Sequence, residues 1–150
     1  MNLEDTITLI KNFQVNDEME DYEISEFFDA IGYQLEDVNR FTDSQKQQLI
    51  QTLFGFLKRQ DPELDEDFSF IHLIEAIDQP NYKIYNAELL KFNKENGTIT
   101  STLLLNRCIN GLKKEERKKY IELLKLISEN TNYTDLVRAE ALGYYEHQTQ

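Results

Sequence analysis

Three side chains in this sequence are candidates for nucleophilic or acid-base catalysis: His72, His147 and Cys108. Such catalysis needs a nucleophile with a base within reach. His72 lies in an apolar stretch, where a packed or edge histidine is expected, and His147 lies in the polar C-terminal tail. Cys108 shares an apolar stripe with Leu105 and Ile109, where a thiol behaves as a small hydrophobic group. None of the three has an evident partner in the sequence, so we predict that the protein is not an enzyme.

Potential metal and cofactor ligands do not follow any established spacing. A single cysteine excludes a thiolate zinc cage, and no His-Glu-x-x-His pair occurs. The segment 61–67, Asp-Pro-Glu-Leu-Asp-Glu-Asp, offers carboxylate oxygens but lacks the central glycine and the terminal bidentate glutamate of a calcium loop. The five glycines are dispersed and form no phosphate-binding loop. We therefore predict no bound metal and no cofactor.

The charged side chains are distributed unevenly along the chain. There are 28 acidic and 16 basic side chains, a net charge of −12. Residues 1–67 hold 17 acidic and 5 basic side chains, whereas residues 68–150 hold 11 of each. This balance disfavours direct binding to nucleic acid or to an anionic membrane, because both are polyanions. Dense acidic runs serve either to keep a small domain in solution or to dock a basic protein, and both interpretations stay open at this point.

Two segments concentrate the acidic side chains, residues 17–26 and residues 61–67. Tyr22 lies inside the first segment, and an aromatic ring with a polar tip is a common contact at protein interfaces. Tyr33, Tyr144 and Tyr145 are further amphipathic candidates of this kind. If the protein docks a basic partner, we predict that the contacts come from Asp17, Glu18, Glu20, Asp21, Tyr22, Glu23, Glu26, Asp61, Glu63, Asp65, Glu66 and Asp67.

Apolar residues recur along the chain with a spacing near that of an α-helix, and only two prolines and five glycines interrupt the pattern. This pattern predicts an all-α fold of about seven or eight helices. Gly97 is expected to act as a left-handed C-terminal cap. Polar residues placed directly before amphipathic stretches are the predicted N-caps: Thr42, which forms a capping box with Gln45, Asp67, Thr98 and Thr134.

The 150 residues are expected to form a single domain. It would contain acidic N-terminal helices over residues 1–66, helical hairpins over residues 67–145 and a frayed tail over residues 146–150. The hairpins would run from Asp67 to Asn96 and from Thr98 to Asn130, with starts about 30 residues apart, a spacing typical of solenoids. Both a short right-handed stack of antiparallel hairpins and a compact irregular bundle satisfy this pattern.

The cellular compartment is predicted from three features of the chain. Its first residues, Met-Asn-Leu-Glu-Asp-Thr, are polar and do not match a secretion signal. Its lone cysteine cannot form an intramolecular disulfide. No apolar run approaches the roughly 20 residues that a membrane span requires. Together these features predict a cytoplasmic protein.

Three stretches of the second half carry a resemblance to a known family. They are Phe68-Ser-Phe-Ile-His-Leu-Ile-Glu75, Leu103-Leu-Leu-Asn-Arg-Cys-Ile-Asn110 and the leucine-rich helix that ends in Ile127-Ser-Glu-Asn130. Residues 67–142 resemble the helical, HEAT-like immunity proteins that are encoded beside polymorphic toxins, including those of contact-dependent growth inhibition systems. The resemblance implies that the hairpins form a short HEAT-like stack.

The resemblance also implies a function. A protein of this family would bind the C-terminal domain of a cognate toxin in a one-to-one complex and cover its active site or substrate groove. The toxins are often nucleases, among them EndoU-like ribonucleases, and a nuclease groove is basic because it holds a polyanion. The alternative that we retain is a non-catalytic helical adaptor or scaffold that binds a peptide or a basic protein.

Overall fold

The protein is all-helical in the computed structural model, which describes residues 1–35 and 37–150. These residues form eight α-helices and no strand, so the predicted fold class is confirmed. Two short 3₁₀ turns lie at Val38–Arg40 and Lys114–Glu116. The helices are α1 (Leu3–Asn12), α2 (Asp21–Gln34), α3 (Asp43–Arg59), α4 (Phe68–Ala76), α5 (Lys83–Glu95), α6 (Ile99–Gly111), α7 (Lys118–Glu129) and α8 (Asp135–Gln148).

Local capping chemistry sets where these helices begin. The Thr42 hydroxyl oxygen accepts a hydrogen bond from the Gln45 backbone N–H at 3.2 Å, and the Gln45 side chain accepts one from the Thr42 N–H at 2.9 Å. The side chains of Asp67, Thr98 and Thr134 each accept a hydrogen bond from the backbone N–H three residues further on and so cap α4, α6 and α8, and all four predicted N-caps are confirmed. The helix that the sequence pattern did not single out is α1.

The described chain divides into two compact units. The first contains Met1–Gln60 and Asp67–Glu88, and the second contains Asp61–Glu66 and Leu89–Gln150. The division falls inside α5, so the predicted hairpin over Asp67 to Asn96 is shared between the units. Within the first unit α1 packs on α3 and α2 packs on α4, whereas within the second α6, α7 and α8 contact one another.

Phenylalanine rings form the centre of the first unit. Phe28 is 1% exposed, and its ring centroid lies 5.1 Å from those of Phe56 and Phe70 and 5.8 Å from that of Phe13. Because Phe28 belongs to α2 and Phe70 to α4, this cluster determines how the two helices pack. The second unit has an aliphatic core, in which Leu105, Leu124 and Val137 are fully buried.

The predicted frayed tail at residues 146–150 is wrong for the greater part of that segment. Helix α8 continues through Gln148. The Gln148 side-chain Nε2 donates hydrogen bonds to the Oδ1 atoms of Asn106 and Asn110, both at 2.8 Å. These bonds hold the end of α8 against α6, and a polar C-terminal composition does not reveal such distant partners.

The predicted left-handed cap at Gly97 is also wrong. No described glycine has a positive φ. Among the described residues, the positive φ angle belongs to Tyr82, at 58°. Glycine is required at position 97 for space. A Cβ atom there would lie 2.6 Å from Cδ2 of the Tyr133 ring and 2.8 Å from its Cγ.

Gly97→Ala is therefore expected to lower the free energy of unfolding by about 1–3 kcal/mol, the range typical of overpacking a buried site. Gly143→Ala in α8 is the matched control, because a Cβ there meets open space. Alanine is the better helix former, so the control is expected to gain about 0.5–1 kcal/mol. Urea denaturation of both variants tests the contrast, and equal stability of the two would contradict the close packing of Tyr133.

Candidate protein-binding surface

The first predicted contact segment, residues 17–26, surrounds the start of α2. Its seven predicted contact residues are all exposed, and Tyr22 is 61% exposed. Glu20 and Glu23 are engaged in capping, since the Glu20 backbone N–H donates to the Glu23 carboxylate at 2.8 Å. Among the described residues, no hydrogen bond or ion pair engages four of the carboxylates, which we call the free carboxylates: Asp17, Glu18, Asp21 and Glu26.

The second predicted contact segment, residues 61–67, has a different character. Asp61 stabilises its own turn by accepting a hydrogen bond from the Glu63 backbone N–H at 2.9 Å. Glu63, Asp65 and Glu66 are exposed. Residues Asp61–Glu66 belong to the second unit and Asp67 belongs to the first, so this segment is not one continuous part of either unit.

Asp67 holds two helices in place. One carboxylate oxygen accepts from the Phe70 backbone N–H at 3.0 Å and caps α4, and the other accepts from the Ser25 hydroxyl of α2 at 2.5 Å. Because both oxygens are engaged and the residue is only half-exposed, Asp67 positions α2 against α4 and has little capacity to contact a partner.

Asp67→Ala is expected to lower the free energy of unfolding by about 1–2 kcal/mol, because the variant loses the cap of α4. Asp67→Asn retains an oxygen acceptor and is expected to keep most of that stability. Glu63→Ala, an exposed acidic site nearby in sequence, is expected to change stability by less than about 0.5 kcal/mol. Thermal unfolding of the three variants gives the order, and an Asp67→Ala variant as stable as Glu63→Ala would refute the positioning role.

An open groove lies between α2 and α4 in the first unit, and the sequence pattern did not predict it. Its volume is about 490 Å³. Small residues contribute to its walls, namely Gly32 on α2 and Ser69 and Ala76 on α4. A Cβ at Gly32 would meet nothing within 4 Å. The groove is therefore open at this position because glycine has no side chain to fill it. Small residues facing one another on two amphipathic helices are the sequence signal that could have indicated the groove.

The groove combines an apolar floor with a polar rim. Phe28, Leu73 and Ile77 supply buried apolar surface. Asp29 and Asp37 supply exposed carboxylates at the rim. Tyr33, which is 90% exposed, and His72, which is also exposed, line the groove as well. This combination suits an apolar group that carries positive charge beside it.

His72, the histidine that the sequence offered as a possible base, lines this groove. Its ring lies 5.9 Å from that of Phe68. Asp29, Asp37 and Ser69 line the same groove. Within residues 1–35 and 37–150, however, no hydrogen bond or ion pair joins His72 to a carboxylate or to the serine hydroxyl. Nucleophilic catalysis requires such a linked set.

The remaining candidate side chains lie in the second unit. Cys108 is partly buried and packs against the aliphatic core there. Tyr144 and Tyr145 pack against the same core, which leaves Tyr22 and Tyr33 as the exposed tyrosines among the four predicted contacts. The described residues contain no group of three or more His, Cys, Asp or Glu side chains that could hold a metal ion. In the same part of the chain, every helix is too short or too polar to cross a bilayer.

Tyr144 is a partly buried titratable group of the second unit whose pKa is shifted. Burial is the main cause that raises its pKa to about 12. The negative charges of Glu140 and Glu66 raise the pKa further, and so does a hydrogen bond between the phenol and the Glu140 side chain. An unfolded tyrosine titrates near pH 10. Folding therefore favours the neutral phenol, and the resulting stability is fully present below about pH 10 and is lost as the pH rises towards about 12.

Tyr144→Phe is expected to make the free energy of unfolding decline less steeply between about pH 10 and pH 12, because phenylalanine does not titrate. Urea denaturation of the variant and the wild type at a series of pH values gives the two slopes. A Tyr144→Phe slope identical to that of the wild type would show that this phenol does not contribute.

Comparisons with protein-family models, with curated proteins and with solved structures found no match to this chain.

Proposed function

We propose that this protein is a non-catalytic inhibitor that binds a basic protein domain, and that it serves as an immunity protein against a cognate toxin. The observation that carries the proposal is the charge of the first unit, which holds 16 acidic and 6 basic side chains, together with its four free carboxylates. The second unit holds 12 acidic and 10 basic side chains and is nearly balanced.

A surface of this kind has a physical cost that a binding role would explain. Like charges close together repel one another, and a compact unit with a net charge of −10 is destabilised by that repulsion. A basic partner reverses the effect, because each carboxylate then faces a cation. Long-range attraction also raises the association rate, by about 10- to 1000-fold for strongly complementary surfaces.

The partner that fits best is a nuclease domain. Its substrate groove is basic because it binds phosphates, and a carboxylate-covered surface can occupy that groove in place of the nucleic acid. Inhibition then requires only occupancy and no reaction. Such an inhibitor would act in the cytoplasm in a one-to-one complex with the toxin domain.

The test is a growth assay with the C-terminal domain encoded by the open reading frame upstream of this gene. We expect that domain to be toxic alone, and co-expression of the protein to restore growth. Co-purification should then give a one-to-one complex. Toxicity without rescue, or rescue without a complex, would refute an inhibitor of this kind.

A second candidate function is that of a helical adaptor, and the groove between α2 and α4 is the observation that favours it. An adaptor would bind a peptide through groove packing, with no link to an upstream toxin gene. The two functions differ in their response to salt, because apolar packing is far less screened than surface charge. Affinity that is unchanged between low and high ionic strength favours the adaptor, and affinity that falls steeply favours the inhibitor.

A further inference from the structure

The groove between α2 and α4 continues into an exposed stripe along α2. Tyr22, Glu26, Asp29 and Tyr33 follow one another at intervals of three or four residues, which places them on one face of the helix. All four are exposed. With a rise of about 1.5 Å per residue, the stripe is roughly 16 Å long. It leads from the free carboxylates to the rim of the groove, because Glu26 is one of the free carboxylates and Asp29 and Tyr33 line the groove.

The chemistry of this surface selects its occupant. The apolar floor formed by Phe28, Leu73 and Ile77 favours a large apolar side chain. The rim carboxylates of Asp29 and Asp37 and the exposed Tyr33 ring favour cations, through ion pairing and cation–π contact. A small molecule in the groove would leave the roughly 16 Å stripe uncovered, whereas a peptide segment would cover both.

We propose that the groove and the stripe bind a basic amphipathic segment of the partner, with one aromatic or large aliphatic side chain in the groove and Lys or Arg residues along the stripe. This inference rests on the proposed function, since it identifies where the basic toxin domain is held. Charge steers the encounter, and the apolar anchor determines how long the complex lasts.

The sharpest test fills the groove without disturbing the fold. Gly32→Leu places a side chain in the groove from a position where the Cβ meets open space, and leucine is the better helix former. Gly143→Leu makes the same change on α8, again into open space and outside the groove. Both variants should unfold at or above the wild-type temperature. The groove is thus filled in one variant and open in the other, whereas their stabilities are expected to be similar.

Against the toxin domain, we expect Gly32→Leu to raise Kd by about tenfold or more, mainly through faster dissociation, and Gly143→Leu to leave Kd unchanged. If the wild type binds the toxin domain and Gly32→Leu binds it with the same Kd, the groove inference is overturned and the proposed function is left intact. Absence of wild-type binding to the toxin domain refutes the proposed function instead.

The groove is tested independently with two synthetic helical peptides of about 12 residues, long enough to span the stripe. Both are rich in Lys and Arg, and one carries a single tryptophan where the other carries alanine. In NMR titrations, we expect the tryptophan peptide to bind at least tenfold more tightly and to shift the amide signals of Gly32 and His72. Equal binding of the two peptides would overturn the apolar anchor. Equally tight binding of free indole would indicate a small-molecule site, and concentration-dependent self-association of the protein would indicate a second copy as the occupant.

Discussion

Replacing the four free carboxylates by lysine is expected to slow association with a basic toxin domain by about a hundredfold at low ionic strength. These residues lie around the start of α2, and no described side chain neutralises them. They therefore attract an approaching cationic partner through the solvent without competition from an internal counter-charge. Because this attraction operates before contact, the association rate constant should change much more than the dissociation rate constant.

Stopped-flow kinetics over a series of salt concentrations measures this effect. The wild-type association rate should fall steeply as salt is added, whereas that of the lysine variant should be nearly flat or should rise. The matched control reverses four exposed glutamates of the second unit and thus makes the same change in net charge: Glu115, Glu122, Glu129 and Glu146. The control should retain most of the wild-type rate. If neither rate constant responds to the α2 variant, the acidic segment contributes to solubility alone.

Phe28→Ala is expected to lower the free energy of unfolding by about 3–5 kcal/mol. The side chain is 1% exposed, and its ring meets those of Phe13, Phe27, Phe56 and Phe70 at centroid distances between 5.1 and 5.8 Å. Truncation removes this buried ring and leaves a cavity that four neighbouring aromatic rings cannot easily fill. Urea denaturation of the variant measures the loss.

Phe68→Ala is the matched control for this prediction, because it removes the same side chain from a site on α4 that is 51% exposed. We expect its cost to stay below about 1 kcal/mol. Phe28→Leu should fall between the two, since it retains much of the buried volume. A small effect of Phe28→Ala would show that the aromatic cluster does not determine the stability of the first unit.

The starts of several helices were predicted correctly from the sequence because capping is local. The Thr42 hydroxyl meets the N–H of Gln45 only three residues away, so the residue types and their order suffice to predict the cap. Asp78 caps a helix in a way that such local reasoning does not predict. Its buried carboxylate accepts hydrogen bonds from the N–H groups of Ile84 at 2.6 Å and Tyr85 at 2.9 Å, across an intervening turn. Capping over such a distance depends on the path of the chain.

Gly97 and Gln148 show the same limit in a different form. A glycine after a helix has the pattern of a left-handed cap, but its neighbour Tyr133 is distant in sequence and excludes a Cβ. A polar C-terminal end has the pattern of a frayed tail, but Gln148 meets Asn106 and Asn110 of α6. In both cases the deciding contact comes from another helix, and periodicity along one segment carries no information about it.

The sequence by itself determined the all-α class, the main N-caps and the concentration of acidic side chains in the first half, because composition, capping and helical periodicity are local properties. Tertiary structure alone decided which carboxylates are available to a partner. Asp67 is engaged by Ser25, which is 42 residues away in sequence, whereas Asp17 and Glu26 remain free. The groove likewise exists only because α2 and α4 pack side by side with small residues facing each other. Such an arrangement depends on long-range packing, and no spacing along a single helix specifies it.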